Sequence, residues 1–238
     1  MSFPAGGYGA PTFSVQYTDE AAGTNGVKVL AYGGSGVGKT RLALSCPHPL
    51  VLSAEGGILS LRAMRIPFIE ITSIEQLTAV GAWLAAAGDQ WLYQTIILDS
   101  ISEIAETCLR AAKIAAGKDP RRAYGALIEE MLPLVRAFRD LRYRHVVVIA
   151  KEEWQKEDTT GAMMFYPSLP GAKLGGELPY FFDEVLRLMA WRDPSTKELL
   201  SAFQTFRDHQ TVAKDRSGAL APYEAPNMGA IFSKITGR

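Results

Sequence analysis

Short apolar runs alternate with longer amphipathic stretches along most of this chain. A short apolar run predicts a buried strand, whereas apolar residues recurring three and four positions apart predict a helix. Strands are predicted at residues 27–32, 49–54, 66–71, 93–98 and 145–150. Helices are predicted at residues 40–45, 73–88, 101–116 and 126–143. The second helix opens with Ser73 and Gln76 at the spacing of a capping box, and a break at residues 117–120 separates the last two.

This alternation predicts an α/β fold with a mostly parallel central sheet flanked by helices, because right-handed crossovers connect parallel strands. In such sheets the ligand binds at the carboxyl ends of the strands. Two later strands, at residues 183–192 and 198–206, are joined by a short polar turn and predict an antiparallel C-terminal hairpin at the sheet edge. The segment at residues 151–178 is long and interrupted by Gly and Pro, so we expect a functional loop there.

Length and charge narrow the class of protein. The 238 residues suit one substantial α/β domain at residues 27–238, preceded by an arm at residues 1–26 that is rich in Gly, Pro, Ala and Thr. We expect this arm to be flexible or to dock on a neighbouring subunit. Lys plus Arg and Asp plus Glu each number 25, so the net charge is zero. Any contact with nucleic acid must therefore come from local basic patches.

The cysteines and the start of the chain bear on its location. Cys46 and Cys108 lie far apart without a metal-binding pattern, which favours a reducing compartment and argues against a zinc site or a disulfide. No basic segment followed by an apolar stretch opens the sequence, and no apolar run reaches the length of a membrane span. We therefore expect a cytoplasmic location.

One segment satisfies the phosphate-binding loop pattern G-x-x-x-x-G-K-[ST] at every position, between a predicted strand and a predicted helix. Glycines let successive backbone N–H groups surround a phosphate, Lys39 can reach the β- and γ-phosphates, and the Thr40 hydroxyl can ligate Mg²⁺. We therefore predict ATP and Mg²⁺ as ligands; a glycine-rich turn that binds nothing is the alternative. The matching residues are Gly33, Gly34, Ser35, Gly36, Val37, Gly38, Lys39 and Thr40.

Two carboxylates are candidates for the chemistry around the phosphates. Asp99 ends the apolar run at residues 93–98, where a Walker B carboxylate would hold Mg²⁺. The next residue is Ser100 rather than Glu, so a water-activating base is missing from that position. Glu55 follows the run at residues 49–54 and becomes the predicted general base if that strand neighbours the phosphate-loop strand. The alternative for Glu55 is a solvated acid at a strand end.

The order of these motifs resembles the RecA-type recombinase core: a phosphate loop, then a strand ending Ala54-Glu55, then a strand ending Asp99-Ser100. The run 214–218 (KDRSG) also matches the K-x-R-x-G pattern of the RadA and hexameric-helicase branch of that superfamily. Pieces such as LSAEGGILSL and AKDRSGAL are similar to short phage-encoded RecA-like ATPases that act in single-strand annealing or recombination. The resemblance spans roughly residues 27–235.

The resemblance implies a role for each matching residue. Glu55 would polarise the attacking water, and Lys214 and Arg216 would act on the γ-phosphate bound by the adjacent subunit, so that the ATP site forms at an interface in a filament or ring. An ordinary exposed basic pair is the alternative for Lys214 and Arg216. Arg62 is a candidate for stacking on adenine, against a solvated charge. RecA proteins usually carry Gln or Asn after the strand at residues 145–150, where this chain has Lys151 and Glu152.

The resemblance also implies two loops that bind single-stranded DNA. Both counterparts here mix cations with aromatic rings, which suits phosphates and unpaired bases. Acidic residues in the second segment would oppose binding, and a lid over the nucleotide is the alternative there. The predicted contacts are Lys118, Arg121, Arg122 and Tyr124 in the first segment, and Lys151, Trp154, Lys156, Phe165, Tyr166 and Lys173 in the second.

The leading hypothesis is therefore a DNA-stimulated ATPase of RecA type that promotes annealing or strand exchange in phage recombination. Its expected partners are single-stranded DNA, further copies of itself and a phage single-strand binding protein, in the host cytoplasm. A helicase-like motor or loader with the same core remains open. So does a nucleotide-dependent switch that binds proteins rather than DNA.

Overall fold

Six neighbouring strands of one sheet run parallel in the computed structural model, which describes Tyr17 and residues 25–89, 92–157 and 161–237. The sheet has ten strands among the described residues, in the order β10-β8-β7-β1-β5-β4-β2-β3, with β6 paired to β5 and β9 paired to β7. All strands from β7 to β3 in this order pair in parallel, and the remaining pairs are antiparallel. The strands are β1 (Lys28–Gly33), β2 (Pro49–Ser53), β3 (Phe68–Glu70), β4 (Thr95–Asp99), β5 (His145–Lys156), β6 (Met163–Ser168), β7 (Glu184–Arg192), β8 (Leu199–Gln204), β9 (Lys214–Asp215) and β10 (Tyr223–Glu224).

Helices cover both faces of this sheet. The α-helices are α1 (Ile74–Ala86), α2 (Ile101–Ala116), α3 (Pro120–Arg139), α4 (Ala172–Glu177) and α5 (Met228–Thr236), with 3₁₀-helices at Thr40–Ser45, Gly57–Leu61 and Leu178–Phe181. The predicted α/β fold, with a mostly parallel sheet, flanking helices and an antiparallel C-terminal hairpin, is confirmed. The division into an arm and a core stays a prediction, because nearly all of residues 1–26 lie outside the described part of the chain.

Alternate residues of the central strands enter different cores, because successive side chains point to opposite faces of a sheet. On β1, Leu30 and Tyr32 join the core beneath α1, α2 and α3, whereas Val29 and Ala31 join the core beneath the first 3₁₀-helix and α5. Both faces are therefore dry, which is why these strands read as continuous apolar runs. No helix in the described part of the chain combines the length and apolarity needed to cross a membrane.

One helix begins where the sequence predicts it, and another does not. The start of α1 is as predicted, since the Ser73 side chain accepts a hydrogen bond from the backbone N–H of Gln76. However, α3 begins at Pro120 rather than at residue 126, because Asp119 caps it by accepting from the N–H groups of Arg121 and Arg122. Proline at the first helical position suits this start, since that N–H needs no partner there. The predicted loop around Arg121 is thus the first turn of a helix.

The predicted loop at residues 151–178 is also largely ordered structure. β5 continues from the sheet centre to Lys156 and pairs with β6 in an antiparallel hairpin, and α4 follows at Ala172–Glu177. The apolar run ends at Ala150 only because β5 leaves the core there, and its next six residues are partly or mostly exposed. Hydropathy therefore marked where burial ended and not where the strand ended.

A substitution at Phe138 of α3 would test the larger core. Phe138 is one of the largest fully buried side chains, and its ring packs against Gly81 of α1. We expect Phe138→Ala to lower the free energy of unfolding by about 3–5 kcal/mol, since it removes apolar contact and leaves a cavity. Urea denaturation followed by circular dichroism would measure the change. Tyr180→Ala is the matched control, because Tyr180 is 80% exposed; equal losses in the two variants would contradict this assignment of the core.

Candidate functional site

The phosphate loop leaves the carboxyl end of β1 and borders a cavity of about 550 Å³. The parallel arrangement brings the ends of β1, β2, β4 and the middle of β5 to the same edge of the sheet. The cavity therefore collects residues that are far apart in sequence. Its lining consists of Gly33, Ser35, Gly36, Gly38, Lys39, Thr40, Arg41, Glu55, Gly57, Ser60, Asp99, Lys151 and Glu152.

Glycines serve two different purposes in the loop. A Cβ atom on Gly33 would collide with the backbone carbonyl of Leu188 on β7, so this glycine permits close strand packing. Gly36 and Gly38 have φ values of +77° and +101°, which L side chains rarely adopt, and a Cβ at either position would meet no atom within 4 Å. These two glycines shape a loop that is open on the cavity side.

Lys39 and Thr40 lie where the motif predicts them. The Lys39 Nζ donates to the carbonyl oxygens of Gly33 and Gly34, at 2.7 Å each. Burial lowers the pKa of Lys39, while the carboxylates of Glu55, Asp99 and Glu152 oppose that effect. The Lys39 ammonium thus lies at the mouth of the loop among acidic groups.

Asp99 is buried at the end of β4 and its Oδ2 accepts a hydrogen bond of 2.7 Å from the Thr40 hydroxyl. Burial raises the pKa of Asp99, and the bond from Thr40 partly offsets this. The hydroxyl and carboxylate oxygens are the hard ligands that Mg²⁺ prefers. Within the described ranges no three His, Cys, Asp or Glu side chains are grouped to hold a metal, so a Mg²⁺ here would complete its coordination with phosphate oxygens and water.

The strand before Glu55 does not lie beside the phosphate-loop strand. The prediction for Glu55 was conditional on β2 neighbouring β1, but β5 and β4 lie between them. Glu55 nevertheless lines the cavity, because β2 pairs with β4 in a register that sets Ser53 beside Asp99. The Ser100 hydroxyl donates to Glu55 Oε1. Ser100, which occupies the position of a Walker B glutamate, therefore orients the Glu55 carboxylate.

Lys151 belongs to this cavity rather than to a separate loop. It is paired with Gly33 across β5 and β1. Its Nζ lies 2.9 Å from Glu103, 3.6 Å from Glu106 and 3.9 Å from Glu55. The bond to Glu103 raises the pKa of Lys151, so its charge is retained beside Glu55. Contact of Lys151 with DNA stays a prediction, although its ammonium is engaged by carboxylates at the cavity.

Glu152, which the sequence argument noticed without assigning a role, also faces the loop. Its Oε2 accepts from Arg187 Nε at 2.7 Å, and both side chains are largely buried. The Arg187 guanidinium lies 3.4 Å from the centre of the Phe165 ring. A buried carboxylate near phosphates needs such a neutralising partner. No periodicity in the sequence links residues 152, 165 and 187, so only the fold could reveal this group.

Lys214 and Arg216 do not lie at the cavity of their own chain. β9 pairs with the first residues of β7, which lie beside the beginning of β1, whereas the phosphate loop follows the end of β1. Lys214 Nζ donates to the Pro179 carbonyl at 2.9 Å, and Arg216 Nη1 lies 3.1 Å from Asp183 Oδ1. Action on a neighbouring subunit stays a prediction. Arg62 is exposed and does not line the cavity, so adenine stacking by Arg62 also stays a prediction.

The first predicted DNA segment has exposed cations on two elements. Lys118 lies between α2 and α3, and Arg121, Arg122 and Tyr124 lie in the first turns of α3. Lys113 of α2, which the sequence argument missed, places its Nζ 6.0 Å from the centre of the Tyr124 ring. Sequence spacing gives no sign of this contact, because it crosses between two helices.

The two predicted DNA segments meet at one point. A Cβ on Gly171 would lie 3.3 Å from the Tyr124 ring, so the start of α4, with exposed Lys173, lies against the start of α3. The rest of the second segment is divided by the β5–β6 hairpin, because alternate residues face opposite sides. Trp154, Lys156 and Phe165 share one face with Glu152, whereas Tyr166 shares the other with Lys151 and Glu153. The second segment is therefore not a single basic and aromatic surface.

Comparison of the chain with known proteins shows its family. Residues 25–217 match a protein family described as the AAA domain. The chain belongs to this family. No curated protein matches the chain in sequence. Among solved structures, a KaiC-like protein from the hyperthermophilic archaeon Pyrococcus horikoshii is similar, with 14% identity, a TM-score of 0.43, and coverage of 80% of this chain and 83% of that one.

The AAA domain is thus a nucleotide-binding P-loop NTPase, and its cavity holds the phosphate loop and the predicted Mg²⁺ ligands together. The prediction of a P-loop NTPase core is confirmed at this level. Recombination, phage origin and DNA stimulation stay predictions.

Lys39 offers a direct test of the cavity. We expect Lys39→Met to weaken binding of MgATP by about 10- to 100-fold, because charge-assisted hydrogen bonds contribute about 1.5–3 kcal/mol each. Isothermal titration calorimetry would measure the affinity. Lys197→Met is the control, since Lys197 lies in the turn between β7 and β8 and does not line the cavity. Unchanged affinity in the Lys39 variant would place the nucleotide elsewhere.

Proposed function

We propose that this AAA domain is an ATPase of RecA type that assembles on single-stranded DNA and promotes annealing or strand exchange in phage recombination. The observation that carries the enzymatic part is the position of Glu55, which Ser100 orients in the same cavity as Lys39, Thr40 and Asp99. The motif order and the K-x-R-x-G run support the recombinase part.

Glu55 is the general base in this proposal. Its carboxylate lines the cavity, and Ser100 holds one oxygen, which leaves the other to take a proton from the attacking water. Lys39 would bind the β- and γ-phosphates, exchanging its bonds to loop carbonyls for bonds to phosphate oxygens. Asp99 and Thr40 would hold Mg²⁺, which supplies charge neutralisation at the β- and γ-phosphates when bound.

Lys151 supports the same step from the other side of Glu55. Its ammonium lies 3.9 Å from Glu55 and is tied to Glu103 and Glu106. A cation at this distance attracts the Glu55 carboxylate and so helps to hold it at the cavity. RecA proteins place an uncharged amide after this strand, so a cation here would make the coupling of this chain different from theirs.

Assembly would complete the site. Within one chain Lys214 and Arg216 lie at the end of the sheet opposite the phosphate loop, so they can reach a phosphate only on a neighbouring copy. Cations supplied in trans stabilise charge on the transferring phosphoryl group. Hydrolysis would then depend on a filament or ring.

Single-stranded DNA would bind where α3 and α4 begin. Lys113 lies 6.0 Å from the centre of the exposed Tyr124 ring, and the exposed cations Lys118, Arg121, Arg122 and Lys173 lie near the starts of the same two helices. Such a site offers cations to phosphates and a ring for stacking, and stacking contributes about 1–3 kcal/mol per base. The meeting of two segments predicted separately supports this location.

A nucleotide-dependent switch that binds proteins is the second candidate. The tip of the β5–β6 hairpin favours it, because Trp154 and Met163, which share one face of the hairpin, are 44% and 41% exposed. Aromatic and Met side chains are enriched at protein–protein interfaces, so this face suits a protein partner better than a phosphate backbone. Under this alternative the basic surface at α3 and α4 has no part in activity.

Hydrolysis by Glu55→Gln and Arg216→Ala tests the enzymatic proposal. We expect Glu55→Gln to lower kcat by at least about 100-fold while keeping affinity for ATP, because the base is lost and the phosphate ligands are not. We expect Arg216→Ala to abolish stimulation by single-stranded DNA, measured by phosphate release. Mixing the two variants in equal amounts should then restore part of the activity. Where an Arg216→Ala subunit binds ATP beside a Glu55→Gln subunit, the interface contains an intact Glu55 and an intact Arg216. Failure of mixing to restore any activity would contradict action in trans.

The basic surface is tested by Arg121→Ala, Arg122→Ala and Lys173→Ala combined. We expect binding to a fluorescent single strand to fall at least tenfold near 100 mM salt, and the slope of log K against log salt to decrease by about two, because three phosphate contacts are lost. The control combines Arg65→Ala, Arg192→Ala and Lys197→Ala, which are exposed residues outside both segments. Unchanged DNA binding in the first variant would favour the protein-binding switch.

A further inference from the structure

Glu184, the first residue of β7, is a fully buried carboxyl group to which no function has yet been assigned. Its Oε1 accepts a hydrogen bond of 3.2 Å from the backbone N–H of Ser217. Its Oε2 is buried and has no hydrogen-bond partner among the described residues. A buried ionised oxygen without a partner is costly, so this oxygen calls for a proton and an acceptor.

Asp215 is the acceptor in reach. It stands directly opposite Glu184 across β7 and β9, so the two carboxyl groups lie on the same face of the sheet. Asp215 already accepts from the Ser217 hydroxyl at 2.6 Å, from Gly218 N at 2.9 Å and from Leu220 N at 3.0 Å. Three donors stabilise the ionised form of Asp215. Glu184 is therefore the member of the pair that carries the proton.

The other charged groups around Glu184 leave this assignment intact. Arg216 bonds Asp183, and the second oxygen of Asp183 accepts from the backbone N–H of Lys28. The Lys214 ammonium is directed to the carbonyl of Pro179. None of these cations donates to Glu184. Burial, and then the Asp215 charge, raise the pKa of Glu184 to about 7.

We propose that Glu184 is a positioning residue whose proton, shared with Asp215, fixes the turn at residues 214–218 that presents Lys214 and Arg216. The turn depends on this pair from both sides, since Ser217 bonds to each carboxyl group. That the turn serves a neighbouring ATP site rests on the function proposed above; that the proton holds the turn does not.

The pair makes the turn sensitive to pH near neutrality. The pKa of Glu184 is higher in the folded protein than its ordinary value of 4.5. The folded state therefore binds the proton more tightly, and the resulting stability is complete below about pH 4.5 and is lost as pH rises through about 7. Above that pH two adjacent anions repel each other, and the turn is released.

Glu184→Gln is the decisive variant, because its amide can donate to Asp215 and accept from Ser217 at every pH. Hydrogen exchange at the amides of residues 217, 218 and 220 would be compared between this variant and the wild type at the same pH. We expect equal protection at pH 6 and about tenfold lower protection in the wild type at pH 8, since one pH unit above the pKa leaves about a tenth of the carboxyl protonated. Equal protection at both pH values would overturn the proposal.

Two controls make the result specific. Glu198→Gln changes an exposed carboxylate beyond the far end of β7 and should leave the pH dependence of these amides as in the wild type. Glu184→Ala should lower their protection at both pH values, because it removes both the proton shared with Asp215 and the acceptor for the backbone N–H of Ser217. Protection at pH 8 in Glu184→Gln but not in Glu184→Ala would show that the turn depends on a donor to Asp215 and not only on the volume of the side chain.

Hydrolysis in the presence of single-stranded DNA forms a separate readout. If the turn positions the trans cations, the wild type should lose activity relative to Glu184→Gln between pH 6 and pH 8. A turn that loosens without any change in relative hydrolysis would support the role of Glu184 and overturn the role of Lys214 and Arg216. The two proposals therefore fail independently.

Discussion

The parallel pairing of β1 with β5, of β5 with β4 and of β4 with β2 is the constraint on which the site depends. Parallel strands deliver their carboxyl ends to one edge, so residues far apart in sequence meet there. The register is specific: Gly33 lies beside Lys151, and Ser53 lies beside Asp99. If one strand slipped by a residue, its apolar side chains would turn to the other face of the sheet. The two apolar cores therefore set the register of the strands, and the register sets which residues meet at the site.

The negative and positive side chains at that edge nearly balance each other in charge. The cavity joins the carboxylates of Glu55, Asp99 and Glu152 to the cations of Lys39 and Lys151. Arg187 neutralises Glu152 from behind. A phosphate chain brings several negative charges, so carboxylates near it must be paired with cations or bound to metal. The network of Lys151 with Glu103 and Glu106 meets the same demand on the opposite side.

The extension of β5 beyond the core connects this cavity to the surface. Lys151 and Glu152 stand at the point where β5 leaves β1 and begins its pairing with β6. Glu152, Arg187 and Phe165 then form a continuous contact from the phosphate loop to the hairpin. The phosphate loop and the hairpin are therefore joined by side-chain contacts as well as by the backbone of β5.

The sequence by itself determined the α/β fold, the phosphate loop, Asp99 and the C-terminal hairpin, because each depends on local spacing or on burial of neighbouring residues. It also selected Glu55, although on the condition that β2 neighbours β1, which the sheet does not meet. Only the tertiary structure decided that Lys151 belongs to the cavity, that Ser100 orients Glu55 and that Glu184 meets Asp215. These contacts join strands through long-range pairing, and hydropathy records whether a residue is buried without recording which distant residue lies beside it.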